Sequence, residues 1–257
     1  MEESFVLFAV VGFLAQIVDG ALGMAYGVVS SSVLLSFGVP PAAASASVHA
    51  AEMFTTAASA GSHVWHRNVN WRLFLALAPA GVAGGLAGTF LLTSFDGDLL
   101  RPLVAAYLGV MGLYILWRAF RRPPAIDCPG PKTAAPLGLA GGFMDAVGGG
   151  GWGPVVTTAL LGAGGRPREM IGTVNTAEFF LTTAVSAGFL AALLTGHWEE
   201  AGDLWRYGQA VAGLIVGGVV AAPLAGVVVK TVPARAMTVA VGALVVGLAV
   251  YQTVRLF

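Results

Sequence analysis

Charge is what this chain has least of. Only 10% of its 257 residues are Asp, Glu, Lys or Arg, while 57% are hydrophobic. A soluble domain carries about 25% charged residues, so this chain cannot clothe a water-facing surface. An integral membrane protein is expected. The formal net charge is zero, which gives no reason to expect a nucleic-acid partner. Cysteine is nearly absent: Cys128 stands alone in a polar segment, which leaves no internal disulfide and no cysteine metal site. The start, MEESFVLF, lacks the basic leader of a signal peptide, so the first apolar segment is expected to remain in the mature protein. No Ser-His-Asp or paired-carboxylate arrangement has an enzyme-like spacing, so neither catalysis nor a cofactor is expected. Strict apolar–polar alternation is missing too, for example from Leu73 to Leu92. That excludes a membrane barrel and leaves helical spans.

What is present is a repeat. Asp145 to Thr182 lies without a gap on Asp19 to Thr56, at a constant offset of 126 residues. Asp145 falls on Asp19, Gly149 on Gly23, Gly153 on Gly27, Thr158 on Ser32 and Pro167 on Pro41. Thr173 then meets Ser47, Asn175 meets His49, Glu178 meets Glu52 and Thr182 meets Thr56. Matches that include acids in so apolar a chain indicate an internal duplication. It divides the chain into repeat 1 over 1–124, a linker over 125–133, and repeat 2 over 134–257.

Eight hydrophobic stretches follow: 5–37, 41–63, 72–94, 99–120, 134–163, 167–195, 206–230 and 234–256. About 20 residues cross the hydrocarbon as a helix. The first stretch of each half is too long for one crossing, and each is interrupted. Asp19-Gly20, Gly23 and Gly27 break the first; Asp145, Gly148 to Gly151, Gly153 and Pro154 break the second. Glycine and proline inside a helix cost about 1 and 3 kcal/mol against alanine. Each opening stretch is therefore expected to be a broken, re-entrant hairpin. With the amino terminus outside, ten of the thirteen Lys and Arg then fall on the cytoplasmic side, against eight if all eight stretches cross. One hairpin plus three crossings is an odd number, so the two repeats are expected to be inverted. Both termini would be periplasmic, and the Pro-rich segment Arg118 to Pro136 would join the halves in the cytoplasm. Inverted repeats with broken helices are a recurrent architecture of secondary transporters. The fold class is thus an all-α membrane protein of two inverted repeats, each a hairpin plus three transmembrane helices.

Smaller features fit. Trp65, Trp71, Trp117, Trp198 and Trp205 lie near span ends, as an interfacial aromatic belt would. Gly81/Gly85, Gly84/Gly88 and Gly213/Gly217 have the spacing of close helix packing.

Glu52 and Glu178 lead the candidates for chemistry, because a charged side chain at mid-span costs at least about 2.5–3.5 kcal/mol, and here it recurs at equivalent positions. His49 and Asn175 lie one turn earlier on the same face, with Ser47 and Thr173 beyond them. These residues suggest a substrate or proton site between the repeats; the competing reading has each glutamate accept hydrogen bonds from its own broken hairpin. Asp19 and Asp145 precede helix starts and read as N-caps, with a proton relay alongside the glutamates as the alternative. Gln16 is a weaker candidate. Gly148, Gly150 and Gly153 spell a G-x-G-x-x-G string, but no strand or βαβ unit accompanies it. A stretch of exposed backbone N–H groups able to cradle an anion fits better, with Ser30 to Ser32 and Thr157-Thr158 as added donors, or else simply a tight turn. His63 and His66 have H-x-x-H spacing without a carboxylate or cysteine to complete a metal site, and His197 sits in a loop. No metal is expected.

The glycine-rich openings, the Glu52 and Glu178 helices and the glycine-rich third spans resemble the sulfite exporter TauE/SafE family, over essentially the whole chain. Gly148 to Pro154 and Asn175 to Glu178 match its better-kept positions. His49 departs from it, standing where asparagine is common, and Ala21-Leu22-Gly23-Met24 replaces a fuller glycine run. The resemblance implies bacterial inner-membrane carriers that export sulfite, sulfoacetate or related organosulfur anions. The anion is expected where the hairpin tips meet the glutamate helices, at Gly23, Gly27, Gly149, Gly150, Gly151 and Gly153, with Ser47, His49, Thr173 and Asn175. Glu52 and Glu178, with Asp19 and Asp145, would couple protons. Partners would be the small anion and the lipid bilayer, with a homodimer left open. Alternatives are another anion or carboxylate, a metal ion, for which the four histidines supply too few ligands, a passive channel, or a membrane-embedded enzyme.

Overall fold

The computed structural model describes residues 2–121, 130–198, 207–231 and 233–256. Arg122, Cys128, Glu199, Glu200, Asp203, Trp205 and Arg206 lie outside the described residues.

The described residues form ten α-helices: α1 (Glu2–Leu22), α2 (Tyr26–Ser36), α3 (Pro41–Trp65), α4 (Trp71–Ser94), α5 (Gly97–Ala119), α6 (Pro131–Gly148), α7 (Thr158–Gly162), α8 (Pro167–Leu194), α9 (Gly208–Thr231) and α10 (Ala234–Leu256). A π-helical turn, Gly153–Thr157, leads into α7. Local chemistry sets the boundaries. Pro41, Pro131 and Pro167 open α3, α6 and α8, where a missing N–H is no loss. Asn70 and Asp96 cap α4 and α5 by accepting from Leu73 N at 3.1 Å and Asp98 N at 2.7 Å. Among the described residues, four helices are both long and apolar enough to cross a membrane: α4, α5, α8, and α10 over Arg235–Arg255.

Both long opening stretches are broken as expected, and both fold back. The Phe8 and Phe37 rings, at opposite ends of the α1–α2 unit, stand 5.9 Å apart edge to face. In the second half, Gly141 on α6 packs against Val156 beyond the break.

The helices pair reciprocally. α1 lies along α9, and α4 lies along α6. α3 crosses α8, and α5 packs on α10. The closest approaches need small residues. A Cβ on Gly84 would strike the Leu139 carbonyl, and one on Gly217 would strike that of Ala9. The glycine stripes read from the sequence are thus packing surfaces. Equivalent residues meet where α3 and α8 cross: the hydroxyls of Thr56 and Thr182 are 3.4 Å apart.

Two ends of the bundle can be told apart by their contacts. At one, Arg101 donates to the Gly38 carbonyl at 3.2 Å, Gln252 donates to the Ser32 carbonyl at 3.0 Å, and Ser94 meets His197 at 2.9 Å. At the other, Asn70 N donates to Thr173 Oγ1 and Asn70 Nδ2 to Glu169 Oε1, both at 2.8 Å, and Arg235 lies 4.5 Å from the Phe120 ring. Trp65, Trp71 and Trp117 are exposed at helix ends, as a belt requires. Trp198 is not part of it, because its ring is buried against Phe189 at 5.6 Å.

Candidate functional site

The two breaks meet at the middle of the molecule, and each is built by an aspartate. Asp145 accepts at Oδ1 from Gly151 N at 2.6 Å and Trp152 N at 2.8 Å, while its own carbonyl accepts from Gly150 N at 3.1 Å. Gly149, at φ +64°, supplies the left-handed turn. In the first half, Gly23 N donates to the Asp19 carbonyl at 2.6 Å, and Tyr26 N to Asp19 Oδ1 at 3.4 Å. Tyr26 and Trp152 are equivalent residues, so one capping device is used twice, tightly in the second half and loosely in the first.

Where the second half has Gly151, the first has Ala25, held at φ +115°. A left-handed conformation costs an L-residue about 1–2 kcal/mol. Ala25→Gly is therefore expected to raise stability by about 1 kcal/mol, read as a higher unfolding temperature in detergent. An unchanged or lower temperature would show that the alanine methyl contributes more by packing than it loses by strain.

The tips interlock by the same reciprocity. A Cβ on Gly27 would meet Gly149 O at 2.5 Å, and one on Gly153 would meet Met24 Cα at 2.7 Å. Ser31 donates its hydroxyl to the Gly149 carbonyl at 2.8 Å, and the equivalent Thr157 donates to the Gly23 carbonyl at 3.1 Å. These two hydroxyls bind the hairpins to each other and have no hydrogen left for a ligand. The N–H groups of Gly150, Gly151 and Trp152 are likewise taken by Asp145. Three of the N–H groups expected to cradle an anion are thus hydrogen-bonded within the chain, Gly150 to the Asp145 carbonyl and Gly151 and Trp152 to its side chain.

Around the junction lies a cavity of ≈ 10 Å³, lined by Asp19, Glu52, Asp145, Glu178, Gly27, Gly150 and Gly153 among others. That is room for about one water. Among the described residues, no Lys or Arg lines it. Glu52 is 4% exposed and Glu178 8%. Glu52 Oε1 faces the Cα of Gly27, and Glu52 Oε2 has no hydrogen-bond partner among the described residues.

His49, fully buried, joins the halves. Its Nε2 lies 3.1 Å from Asp145 Oδ2 and its Nδ1 2.8 Å from the Ser45 carbonyl oxygen. The Ser45 hydroxyl is 3.3 Å from Nδ1 but donates to the Ala146 carbonyl at 2.5 Å. Nδ1 thus faces only acceptors and carries the ring hydrogen. With the ring hydrogen on Nδ1, the contact between Nε2 and Oδ2 calls for either a shared hydrogen or a bound cation, since a bare imidazole nitrogen and a carboxylate oxygen repel.

Other sequence candidates lie elsewhere. Ser47 back-bonds to the Ala43 carbonyl at 2.6 Å, and Thr173 to that of Glu169 at 2.7 Å. Asn175 does not mirror His49; its Nδ2 donates to Ser59 at 2.9 Å. Gln16 is buried but does not line the cavity. Tyr107 is a residue sequence reading missed. It reaches from α5 to the second break, its ring against Gly148 and its buried hydroxyl beside Gly151, without a partner among the described residues. A tyrosine within an apolar span was the available signal, although α5 carries a second one, Tyr114. Arg101, Gln252 and Arg255 line a separate cavity of ≈ 680 Å³ between α2, α5 and α10, away from the repeated acids.

Comparison with known proteins agrees with this architecture. The sulfite exporter TauE/SafE family matches residues 8–252. The chain is also similar to the probable membrane transporter protein YtnM of Bacillus subtilis, at 42% identity over 250 residues, covering 95% of this chain and 81% of that protein. No solved structure matches it. A match of this extent over helices already placed as apolar spans has one meaning: the chain belongs to the sulfite exporter TauE/SafE family, and is a multi-pass membrane transporter rather than an enzyme.

Proposed function

We propose that the chain is a secondary transporter that exports a small sulfur-containing anion, such as sulfite, sulfoacetate or a related organosulfonate, by alternating access coupled to protons. One observation carries the reading: four acids from the two halves, Asp19, Glu52, Asp145 and Glu178, line one small cavity that, among the described residues, no Lys or Arg lines. Four carboxylates so close, with no cation beside them, repel one another when ionised, and in this reading protons relieve that repulsion. An anion approaching a carboxylate is repelled until that carboxylate is neutralised. Proton and anion therefore bind together and move in the same direction, which gradients decide. A cavity with room for about one water admits an anion only when the interlocked tips separate. In this reading Glu178 carries the coupled proton, and the anion enters between Gly27, Gly150 and Gly153 rather than onto the backbone N–H groups that Asp145 occupies.

The topology supports it. We infer that the halves are inverted repeats, since α1 and α6 each pair with the last-but-one helix of the other half and start at opposite ends of the bundle. Arg67, Arg72, Arg118, Arg121, Lys132, Arg166, Arg168 and Arg235 belong to one end, and Arg101 and Arg255 to the other. The basic end is then cytoplasmic and both termini are periplasmic, in a bacterial inner membrane.

Flux of sulfite and sulfoacetate into proteoliposomes, with and without an acidic exterior, tests the proposal. Saturable uptake that external acid accelerates is expected of the wild type. Glu178→Gln should lose that acceleration and roughly tenfold or more in rate, the effect of ~1.4 kcal/mol on a barrier. Wild-type flux with the same pH dependence in the variant would return Glu178 to a structural role, and non-saturating flux would indicate a channel.

A further inference from the structure

Sequence spacing argues against a metal, because the four histidines are scattered; the fold removes that objection for one of them. His49, Glu52 and Asp145 each bring a donor atom within 4.8 Å of the other two. Bonds of ~2.0–2.2 Å from a metal to imidazole nitrogen and carboxylate oxygen put tetrahedral donors about 3.4 Å apart. The 3.1 Å between His49 Nε2 and Asp145 Oδ2 is close to that spacing already.

The surroundings are those of a ligand set. A metal-binding histidine ordinarily donates its other ring N–H to a carbonyl or carboxylate, which fixes the tautomer, and ligating carboxylates are themselves hydrogen-bonded. His49 Nδ1 is so fixed by the Ser45 carbonyl, and Asp145 by the N–H groups of Gly151 and Trp152 on its other oxygen. Glu52 is the independent indication. Its side chain is more than nine-tenths buried beside this pair, and Oε2 has no partner among the described residues.

We propose that the centre of the molecule binds one divalent transition-metal ion of the zinc or cobalt type, through His49 Nε2, Asp145 Oδ2 and the Glu52 carboxylate. Two carboxylates balance its charge, and imidazole suits these ions where calcium or magnesium would take oxygen alone. The site is single although the fold is duplicated, because Asn175 replaces the imidazole in the second half and is turned to Ser59. An open coordination position would face the cavity that Glu178 and Asp19 also line. There it supplies positive charge to an anion in a place otherwise rich in acids.

The test uses the full chain purified in detergent, stripped with a chelator and titrated with Co2+ or Zn2+. About one ion per chain is expected, with a cobalt absorption band and an X-ray absorption spectrum showing a single imidazole among oxygens. His49→Asn, which installs the residue found at Asn175, should weaken binding by about tenfold to a hundredfold. The double variant His63→Ala/His66→Ala should bind as wild type. No bound ion, an oxygen-only spectrum, or binding that depends on His63 and His66 overturns the proposal. The wild-type spectrum decides even if His49→Asn fails to fold. Binding is read without transport, so proton-linked flux by a chain that takes up no metal would refute this site and leave the transporter reading standing.

Discussion

Gly150→Ala is expected to lower stability by about 3 kcal/mol and to cut the yield of folded protein in detergent. At Gly150 an added Cβ would overlap the backbone nitrogen of Val28 and lie 2.7 Å from Val28 Cα. Its neighbours are backbone atoms of the opposite hairpin, fixed by the Ser31 and Thr157 hydroxyl bonds. No side-chain rotation can make room, so one tip must retreat. Gly61, within α3, is the control, with nothing within 4 Å of an added Cβ. Gly61→Ala should be neutral or gain up to about 1 kcal/mol in helix propensity. Thermal unfolding of the pair of variants in one detergent measures the contrast. If Gly150→Ala melts with Gly61→Ala, the tips do not touch and the closed junction described above is wrong.

That interlock marks the limit of what the sequence displays. Helices α3, α4, α5, α8, α9 and α10 lie within a few residues of the hydrophobic stretches read from it, because a membrane span is set by length and apolarity alone. The breaks at Asp19 and Asp145 were visible for a similar reason, as acids and glycines are costly inside such a run. The duplication was visible in Glu52 and Glu178, and both do line one cavity. What those residues bond to was hidden. The repeat makes His49 and Asn175 look interchangeable, yet His49 reaches Asp145 across 96 residues while Asn175 turns to Ser59. A partner is chosen by reach and by what else lies within 3 Å, and periodicity does not encode either. The backbone N–H groups of the glycine run illustrate the same gap. Their presence is evident from composition, but that Asp145 fills them follows only from the chain folding back at Gly149. Tyr107 was overlooked because α5 carries two tyrosines, and only the fold shows that Tyr107 faces the second break while Tyr114 stacks on Trp117.

Asp145 itself gives the second large effect, and substituting it in two ways separates its structural role from its chemical one. Asp145→Ala leaves the N–H groups of Gly151 and Trp152 without their acceptor and His49 Nε2 without its partner, all in a dry interior. Removing one member of such a buried set costs about 3–5 kcal/mol. At the equivalent position, Asp19→Ala loses a single 3.4 Å bond from Tyr26 N at a half-buried site, and should cost about 1 kcal/mol. Asp145→Asn should differ from both. The amide oxygen can accept from Gly151 and Trp152, and the amide NH2 can donate to Nε2 of a histidine that keeps its hydrogen on Nδ1 toward Ser45. Every bond is then satisfied without an added cation, so stability should stay within about 1 kcal/mol of wild type. Unfolding curves for the three variants fix the order; equal losses for Asn and Ala at position 145 would mean that the hydrogen-bond assignment around His49 is incorrect. A folded Asp145→Asn protein removes the second carboxylate oxygen and the need for a shared proton or cation beside His49, while leaving the hairpin built. If its flux matches wild type, Asp145 only shapes the break. If its flux falls while its unfolding temperature holds, the same carboxylate that closes the second hairpin also takes part in what passes between the two.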